Sequence, residues 1–194
     1  MKSFNILITC SSNKTQILDW IKETKKKINS KIQIFCGDTN SSVNTRFFCD
    51  FFWKMPFTKD SNFDQILSYC KKKNIRIIIP TSDNELIFWA KYKKKLQENK
   101  IFVMVSEEDT IKKCLDKLTF YQITKNKTKN VFTSNNILNF KQKKKFVTKK
   151  RFGSGSKHIM IGKNYNEIFN FTKKDRKNFI FQDYIKFDHE LSVD

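Results

Sequence analysis

The sequence predicts two unlike halves, an open α/β domain built on a parallel sheet and then a smaller α+β domain. Up to about Val105, strand-length runs that are apolar throughout alternate with helical patterns. Strands of that kind are buried on both faces, which is the condition of a parallel sheet covered by helices. Beyond that point short strand signals follow one another, separated by turn residues, as antiparallel strands do. The change of pattern places the division at 106/107, giving domains 1–106 and 107–194.

The elements follow in order. Phe4–Thr9 is a continuous apolar strand. Thr15–Ile28 is a helix with Ile17, Leu18, Ile21 and Ile28 on one side, and Ile32–Phe35 is the second strand. A polar loop through Gly37-Asp38-Thr39-Asn40 leads to a dense aromatic stretch, Phe47–Met55, closed by Pro56. Phe63, Ile66, Leu67 and Cys70 have the i, i+3, i+4, i+7 spacing of an amphipathic helix. Ile75–Ile79 is a strand stopped by Pro80, Glu85–Leu96 a helix, and Ile101–Val105 a strand. Ser106-Glu107-Glu108-Asp109 places acids in the first turn of a helix that runs to about Asn126. Val131–Thr133, Phe146–Lys149 and Ile159–Ile161 are short strands, Tyr165–Phe171 a helix, and Phe179–Asp183 the last strand.

Composition narrows the class. The chain has 39 Lys and Arg against 19 Asp and Glu, a formal charge of +20. The lysines are spread along the chain, and runs such as Lys25-Lys26-Lys27 and Lys71-Lys72-Lys73 fall at predicted helix ends, where cations complement the dipole. That distribution describes a solvated surface better than a nucleic-acid footprint. No apolar run approaches the roughly 18 residues of a membrane span. Met1–Thr9 has no small-residue cleavage site and fits a first buried strand better than a signal peptide. Five cysteines without CxxC spacing point to reduced thiols and a cytoplasmic location, with neither a disulfide framework nor a zinc site. Nothing pairs Cys10 with a base, and the two histidines make no metal site.

The most informative stretch is Thr148-Lys149-Lys150-Arg151-Phe152-Gly153-Ser154-Gly155-Ser156-Lys157-His158, which holds two of the chain's four glycines. A strand ends in a lysine, a small hydroxyl-bearing turn follows, and the apolar run Ile159-Met160-Ile161 begins the next strand. Backbone N–H groups free of large side chains can crowd anionic oxygens, and the lysine adds a point charge. The order strand, loop, strand differs from a P-loop, where a helix follows the lysine.

This segment resembles the phosphate-binding hairpin of the ATP-grasp superfamily, in the branch similar to the large subunit of carbamoyl phosphate synthetase. Lys150 stands where that branch commonly has proline, and His158 where it has glycine. The resemblance covers essentially the whole chain. It implies a Rossmann-like preATP-grasp domain followed by an ATP-grasp nucleotide-binding subdomain, with the C-terminal part of the family's architecture lying beyond Asp194. It further implies that Lys149 contacts ATP phosphates and that Lys117, in Asp116-Lys117-Leu118, reaches a phosphate from the opposite side. Gly153, Ser154, Gly155 and Ser156 would form the lid over the phosphates, with Arg151 and Lys157 flanking it.

By the same resemblance, Phe179-Ile180-Phe181-Gln182-Asp183-Tyr184-Ile185 is the hinge that binds adenine. Backbone groups of a strand edge meet the base at Gln182, Asp183 and Tyr184, and Ile185 covers the ring. Asp183 stands where glutamate is usual, one methylene shorter. Glu190 matches the glutamate that accepts from both ribose hydroxyls. Pro80-Thr81-Ser82-Asp83-Asn84-Glu85-Leu86 resembles the branch's proline-x-x-aspartate-x-glutamate-leucine stretch, at the carboxyl end of a strand where α/β domains build sites. Asp83 and Glu85 are therefore substrate-site candidates, and a helix N-cap is the equal alternative for Asp83.

The family activates a carboxylate as an acyl phosphate for attack by an amine or another nucleophile such as a thiol. The implied cofactors are ATP and Mg²⁺, the metal ligands being expected in the missing C-terminal part. The implied partners are ATP, a small carboxylate substrate and a second chain supplying the C-terminal half, with a homodimer compatible and neither membrane nor nucleic acid called for. The chain is thus expected to be the N-terminal half of a ligase, present as a fragment, a truncated product or a split subunit. Two other classes stay open at this point: a non-catalytic nucleotide- or anion-binding module, and a basic nucleic-acid-binding protein.

Overall fold

The computed structural model describes residues 4–28, 31–153, 155 and 158–186. The chain divides into two compact units, Met1–Ile111 and Lys112–Asp194.

In the first unit, strands β1 (Asn5–Thr9), β2 (Gln33–Asp38), β3 (Phe51–Lys54), β4 (Ile75–Pro80) and β5 (Phe102–Val103) form one parallel sheet in the order β3-β2-β1-β4-β5. Alternation along each strand feeds two cores. Leu7, Phe35, Ile75 and Ile78 point to one face, where α2 (Phe63–Lys72) and α3 (Asp83–Glu98) add Phe63, Ile66, Leu67, Phe88, Trp89 and Leu96. Ile8, Ile34 and Cys36 point to the other, covered by Leu18 and Ile21 of α1 (Thr15–Ile28). Double coverage explains why these strands are apolar at every position instead of every second one. Ile28, counted with the α1 stripe from the sequence, is 62% exposed at the end of the helix. The aromatic stretch resolves into a short 3₁₀ turn, Asn44–Phe47, and then β3, with Trp53 stacked on Tyr69 at 3.7 Å.

The helix expected from Ser106 to Asn126 is two helices, α4 (Glu108–Leu115) and α5 (Lys117–Thr124). Asp116 breaks them by leaving the helical region (φ −86°, ψ 100°) and capping α5, its carboxylate accepting from the N–H groups of Leu118 and Thr119. An Asp in that role competes with helix continuation, which periodicity alone does not weigh.

The second unit holds an antiparallel sheet in the order β6-β9-β7-β8, from β6 (Thr133–Ser134), β7 (Phe146–Lys150), β8 (Met160–Lys163) and β9 (Phe179–Asp183). Its core is aromatic: Phe140, Phe146, Phe179 and Phe181 pack with Ile137 and Ile168. Ile168 comes from α6 (Tyr165–Thr172), which starts with a reciprocal capping box between Asn164 and Glu167. A 3₁₀ turn at Ile137–Phe140, absent from the sequence expectation, supplies Ile137 and Phe140.

Candidate functional site

The site is built first on β7. Phe146 and Thr148 are buried toward the core, so alternation turns Val147 and Lys149 to the opposite face. Lys149 pairs across the ladder with Ile180 of β9, which fixes its stem. Beyond Lys150 the chain leaves the sheet. Gly153 has φ +117° and Gly155 φ +69°, and a Cβ built on either meets nothing within 4 Å among the described residues. The backbone conformation at both residues favours glycine.

Lys117 comes to the same place from α5. Its ammonium donates to the carbonyl of Gly153 at 2.6 Å, and its backbone N–H donates to the carbonyl of Arg151 at 3.2 Å. Asp116 is the anchor. Its carboxylate takes a forked pair of bonds from Arg151, Nε to Oδ1 at 2.7 Å and Nη2 to Oδ2 at 2.5 Å, while also capping α5. The Arg151 guanidinium holds the Asp116 carboxyl far below the usual carboxylate range. Arg151, expected to add charge to the loop, is thus engaged by Asp116, and its backbone N–H donates to Asn178. Burial lowers the Lys149 ammonium from its ordinary pKa, and the positive charge of Lys117 lowers it further. Lys117 is therefore brought to Gly153, and Lys149 lies within the field of Lys117. Ser154, Ser156, Lys157 and Glu190 lie outside the described residues.

The hinge candidates lie at the far end of β9. β9 is an inner strand between β6 and β7, so a sheet edge is not presented along it. The Asp183 N–H is spent on the carbonyl of Phe132 at 3.2 Å, and the Gln182 side chain donates to Thr133 Oγ1 at 2.7 Å. Asp183 Oδ1 lies 3.1 Å from Lys143 Nζ, an ion pair without hydrogen-bond alignment. Backbone outside the sheet begins at Tyr184 and Ile185, whose side chains are exposed. A cavity of about 370 Å³ opens here, lined by Phe132, Lys143, Lys145, Asp183, Tyr184 and Ile185 among others. Thr133 and Lys143 carried no signal in the sequence, since neither belongs to a motif.

In the first unit the two substrate candidates separate. Asp83 is exposed in the first turn of α3, and the N-cap is Ser82, which accepts from Asn84. Glu85 is buried, accepting from Thr9 Oγ1 at 2.7 Å, Trp89 Nε1 at 2.9 Å and Thr81 N at 3.2 Å. Burial raises its carboxyl above the ordinary range. Glu85 lines a cavity of about 340 Å³ with Cys10, Asp38, Thr39, Asn84 and Phe57, at the carboxyl edge of the parallel sheet. Burial, with Glu85 and Asp38 nearby, pushes the Cys10 thiol up to about 12. No group of three or more His, Cys, Asp or Glu able to hold a metal ion occurs among the described residues, and no helix of those residues is long and apolar enough to cross a membrane.

A parallel sheet domain followed by an antiparallel subdomain is the architecture expected from the sequence resemblance, and similar proteins bear out that fold and family. A family model described as the PylC-like N-terminal domain matches residues 6–104, just over half of the chain, and one described as an ATP-grasp domain matches residues 114–194. The chain belongs to the ATP-grasp superfamily, with a PylC-like N-terminal domain as its first part. No curated protein matches it in sequence. Among solved structures it is similar to N5-carboxyaminoimidazole synthetase from Staphylococcus aureus complexed with ADP, at TM-score 0.65 and 15% identity, over 95% of this chain and 48% of that one. The biotin carboxylase domain dimer of Hydrogenobacter thermophilus 2-oxoglutarate carboxylase, in complex with ADP, its magnesium salt and bicarbonate, gives TM-score 0.65 at 16% identity, over 96% and 45%. N5-carboxyaminoimidazole ribonucleotide synthetase from Thermotoga maritima gives TM-score 0.61 at 13% identity, over 95% and 47%. At such identities the likeness is one of fold, and the chain spans about half the length of these structures.

Proposed function

We propose that this chain is the ATP-binding N-terminal part of a ligase that activates a carboxylate as an acyl phosphate and joins it to an amine or a thiol. One observation carries this reading: Lys149 is held half-buried on β7 within the field of Lys117, whose own ammonium donates to the carbonyl of Gly153. Two like charges held close together oppose each other, and a polyphosphate lying against both reverses the sign of that interaction.

In this reading Lys117 and Lys149 neutralise phosphate oxygens from two sides, and the loop 153–156 covers them with backbone N–H groups. Gln182, Asp183, Tyr184 and Ile185 receive the base, and Glu190 the ribose. Asp83 and Glu85 belong to the substrate side, at the carboxyl edge of the first sheet, within a domain that we place at 1–106 with the nucleotide part at 107–194. Such sites work mainly by positioning and by charge neutralisation. By resemblance to the family, the Mg²⁺ ligands are expected in its C-terminal part, carried by a continuation of this polypeptide or by a second chain. The ADP, magnesium and bicarbonate named for the similar structures, and the dimer among them, support ATP, Mg²⁺ and a small carboxylate as ligands and a homodimer as the assembly.

Calorimetry with MgATP on the wild-type chain, Lys149→Ala and Lys117→Ala tests the reading. Each substitution is expected to weaken binding by about tenfold or more, roughly 1.4 kcal/mol. Undiminished binding in both variants overturns the phosphate assignment. Salt-sensitive binding of nucleic acid without any of ATP would instead favour a polyanion-binding protein.

A further inference from the structure

An outer strand keeps main-chain groups that no neighbouring strand takes, so a sheet edge is where one chain can add to another. Among the described residues the edges are β3 and β5 in the first sheet and β6 and β8 in the second. β5 and β6 are two residues long, and β8 bends at Gly162, with φ +68°, and shifts register against β7. β3 is four residues long and pairs with β2 in unbroken register, from Phe35 with Phe51 to Asp38 with Lys54. It carries Phe51, Phe52 and Trp53 in a row, and Phe51 is 46% exposed although it stacks on Phe35 at 4.9 Å.

The ladder fixes which groups of β3 are left over. Met55 N–H donates to the carbonyl of Asp38 on β2 at 3.0 Å. Main-chain groups alternate along a strand, so those of Trp53 and Phe51 also turn toward β2, and those of Phe52 and Lys54 turn outward. Side chains alternate too. Phe51 and Trp53 lie on the face of the larger core, stacked on Phe35 and Tyr69, while Phe52 packs on the other face with Ile8, Ile34 and Cys36.

We propose that the homodimer inferred from the similar structures, on which this assignment rests, forms through β3, which pairs antiparallel with β3 of a second copy about a two-fold axis at Phe52. In that register Phe52 meets its own counterpart as a hydrogen-bonded pair, exchanging both N–H···O bonds, and the two sheets join into one. Phe51 lies directly opposite the second copy's Trp53, in the closer, non-hydrogen-bonded position, so ring meets ring and the exposed face of Phe51 is covered. Asp50 lies opposite the second copy's Lys54, which sets opposite charges against each other at both ends of the contact. Lys54 is exposed. Among the described residues the hydrogen bonds to the Asp50 carboxylate, from Ile34 N–H at 2.8 Å and Lys25 Nζ at 2.6 Å, both use Oδ2, which leaves Oδ1 for the second copy. Sliding the register by two residues separates the charges, and sliding it by one turns outward main-chain groups against inward ones. The second copy is thus the partner that the edge itself specifies. The formal charge of +20 opposes association at long range, but salt at physiological strength screens it beyond about 8 Å.

The test is sedimentation equilibrium of the full chain over a concentration series at physiological salt, with MgATP titrated into the same samples. A wild-type dimer is expected. Lys54→Glu sets a carboxylate opposite Asp50 at both ends and is expected to raise the dimer dissociation constant about tenfold or more. Phe52→Cys places a thiol on the axis, at a separation that a disulfide spans, and mild oxidation is expected to give a covalent dimer whose peptide map shows position 52 linked to itself. Should Phe52→Cys not fold, Lys54→Glu, at an exposed position, decides. A wild-type dimer of unchanged strength in Lys54→Glu, or a Phe52→Cys chain that links through its other cysteines only, overturns the interface and leaves the homodimer standing. A wild-type chain that stays monomeric at the highest concentration overturns interface and homodimer together, and the MgATP titration reports on the nucleotide reading in either case.

Discussion

Replacing Asp116 by alanine tests the joint that holds Lys117 against the glycine loop. Asp116 does two jobs with one carboxylate. It caps α5, accepting from Leu118 N at 3.1 Å, Thr119 N at 3.3 Å and Thr119 Oγ1 at 2.7 Å. It also takes the fork of Arg151, in a pair whose side chains are only 10% and 29% exposed. Loss of the cap costs about 1 kcal/mol. Loss of the charged, partly buried fork costs about 1.5–3 kcal/mol more, because Arg151 is left without its acceptor. Asp116→Ala is therefore expected to destabilise the protein by about 2.5–4 kcal/mol, read as a shift of the urea midpoint at unchanged slope. Asp116→Asn keeps a good cap and loses the charge, so it is expected to fall about 1 kcal/mol short of that cost. The pH dependence has a definite sign. The folded pKa of Asp116 is depressed, so its contribution is complete above the unfolded value of about 3.9 and is lost as pH falls through the folded value. Wild-type stability should decline in acid below about pH 4 more steeply than that of Asp116→Asn. An alanine variant within 0.5 kcal/mol of wild type, or an acid limb unchanged in the asparagine variant, refutes the anchor.

Further predictions follow from the same geometry. Lys149→Met removes a half-buried cation from the field of Lys117, so the ligand-free protein should gain up to about 1 kcal/mol in thermal unfolding while its ATP affinity falls; a loss of stability contradicts the like-charge account. Glu85→Ala strands the Thr9 hydroxyl, the Thr81 N–H and the Trp89 indole N–H, and should cost about 3 kcal/mol or more by chemical denaturation. The folded pKa of Glu85 is raised, so its effect is least harmful below the unfolded value of about 4.3 and stability falls as pH rises toward the folded value; Glu85→Gln should flatten that limb in a stability–pH profile. Gly37→Ala puts a Cβ 3.0 Å from Met55 Sδ and 3.3 Å from Leu7 Cδ1, and should lower stability by about 1 kcal/mol, with a neutral melting temperature as the contrary result.

The sequence alone determined the fold class, because burial on both faces leaves a mark at every position of a strand: Leu7 and Ile8 are adjacent, equally apolar and serve opposite cores. It also determined the phosphate-loop candidates, since a glycine–serine turn after a strand-borne lysine is a local pattern in a chain so poor in glycine. Helix periodicity placed α2 and α3 but ran straight through Asp116, because a cap acts through one side chain's local hydrogen bonds and not through the spacing of apolar residues. Tertiary structure alone decided what lies far apart in the chain. Asp116 meets Arg151, and Gln182 meets Thr133, only after the sheets have formed. It also decided that β9 is an inner strand, so its own amides are spent on neighbours and backbone outside the sheet begins at Tyr184. Pairing order depends on which surfaces close over which, and no single strand carries that information in its own residues.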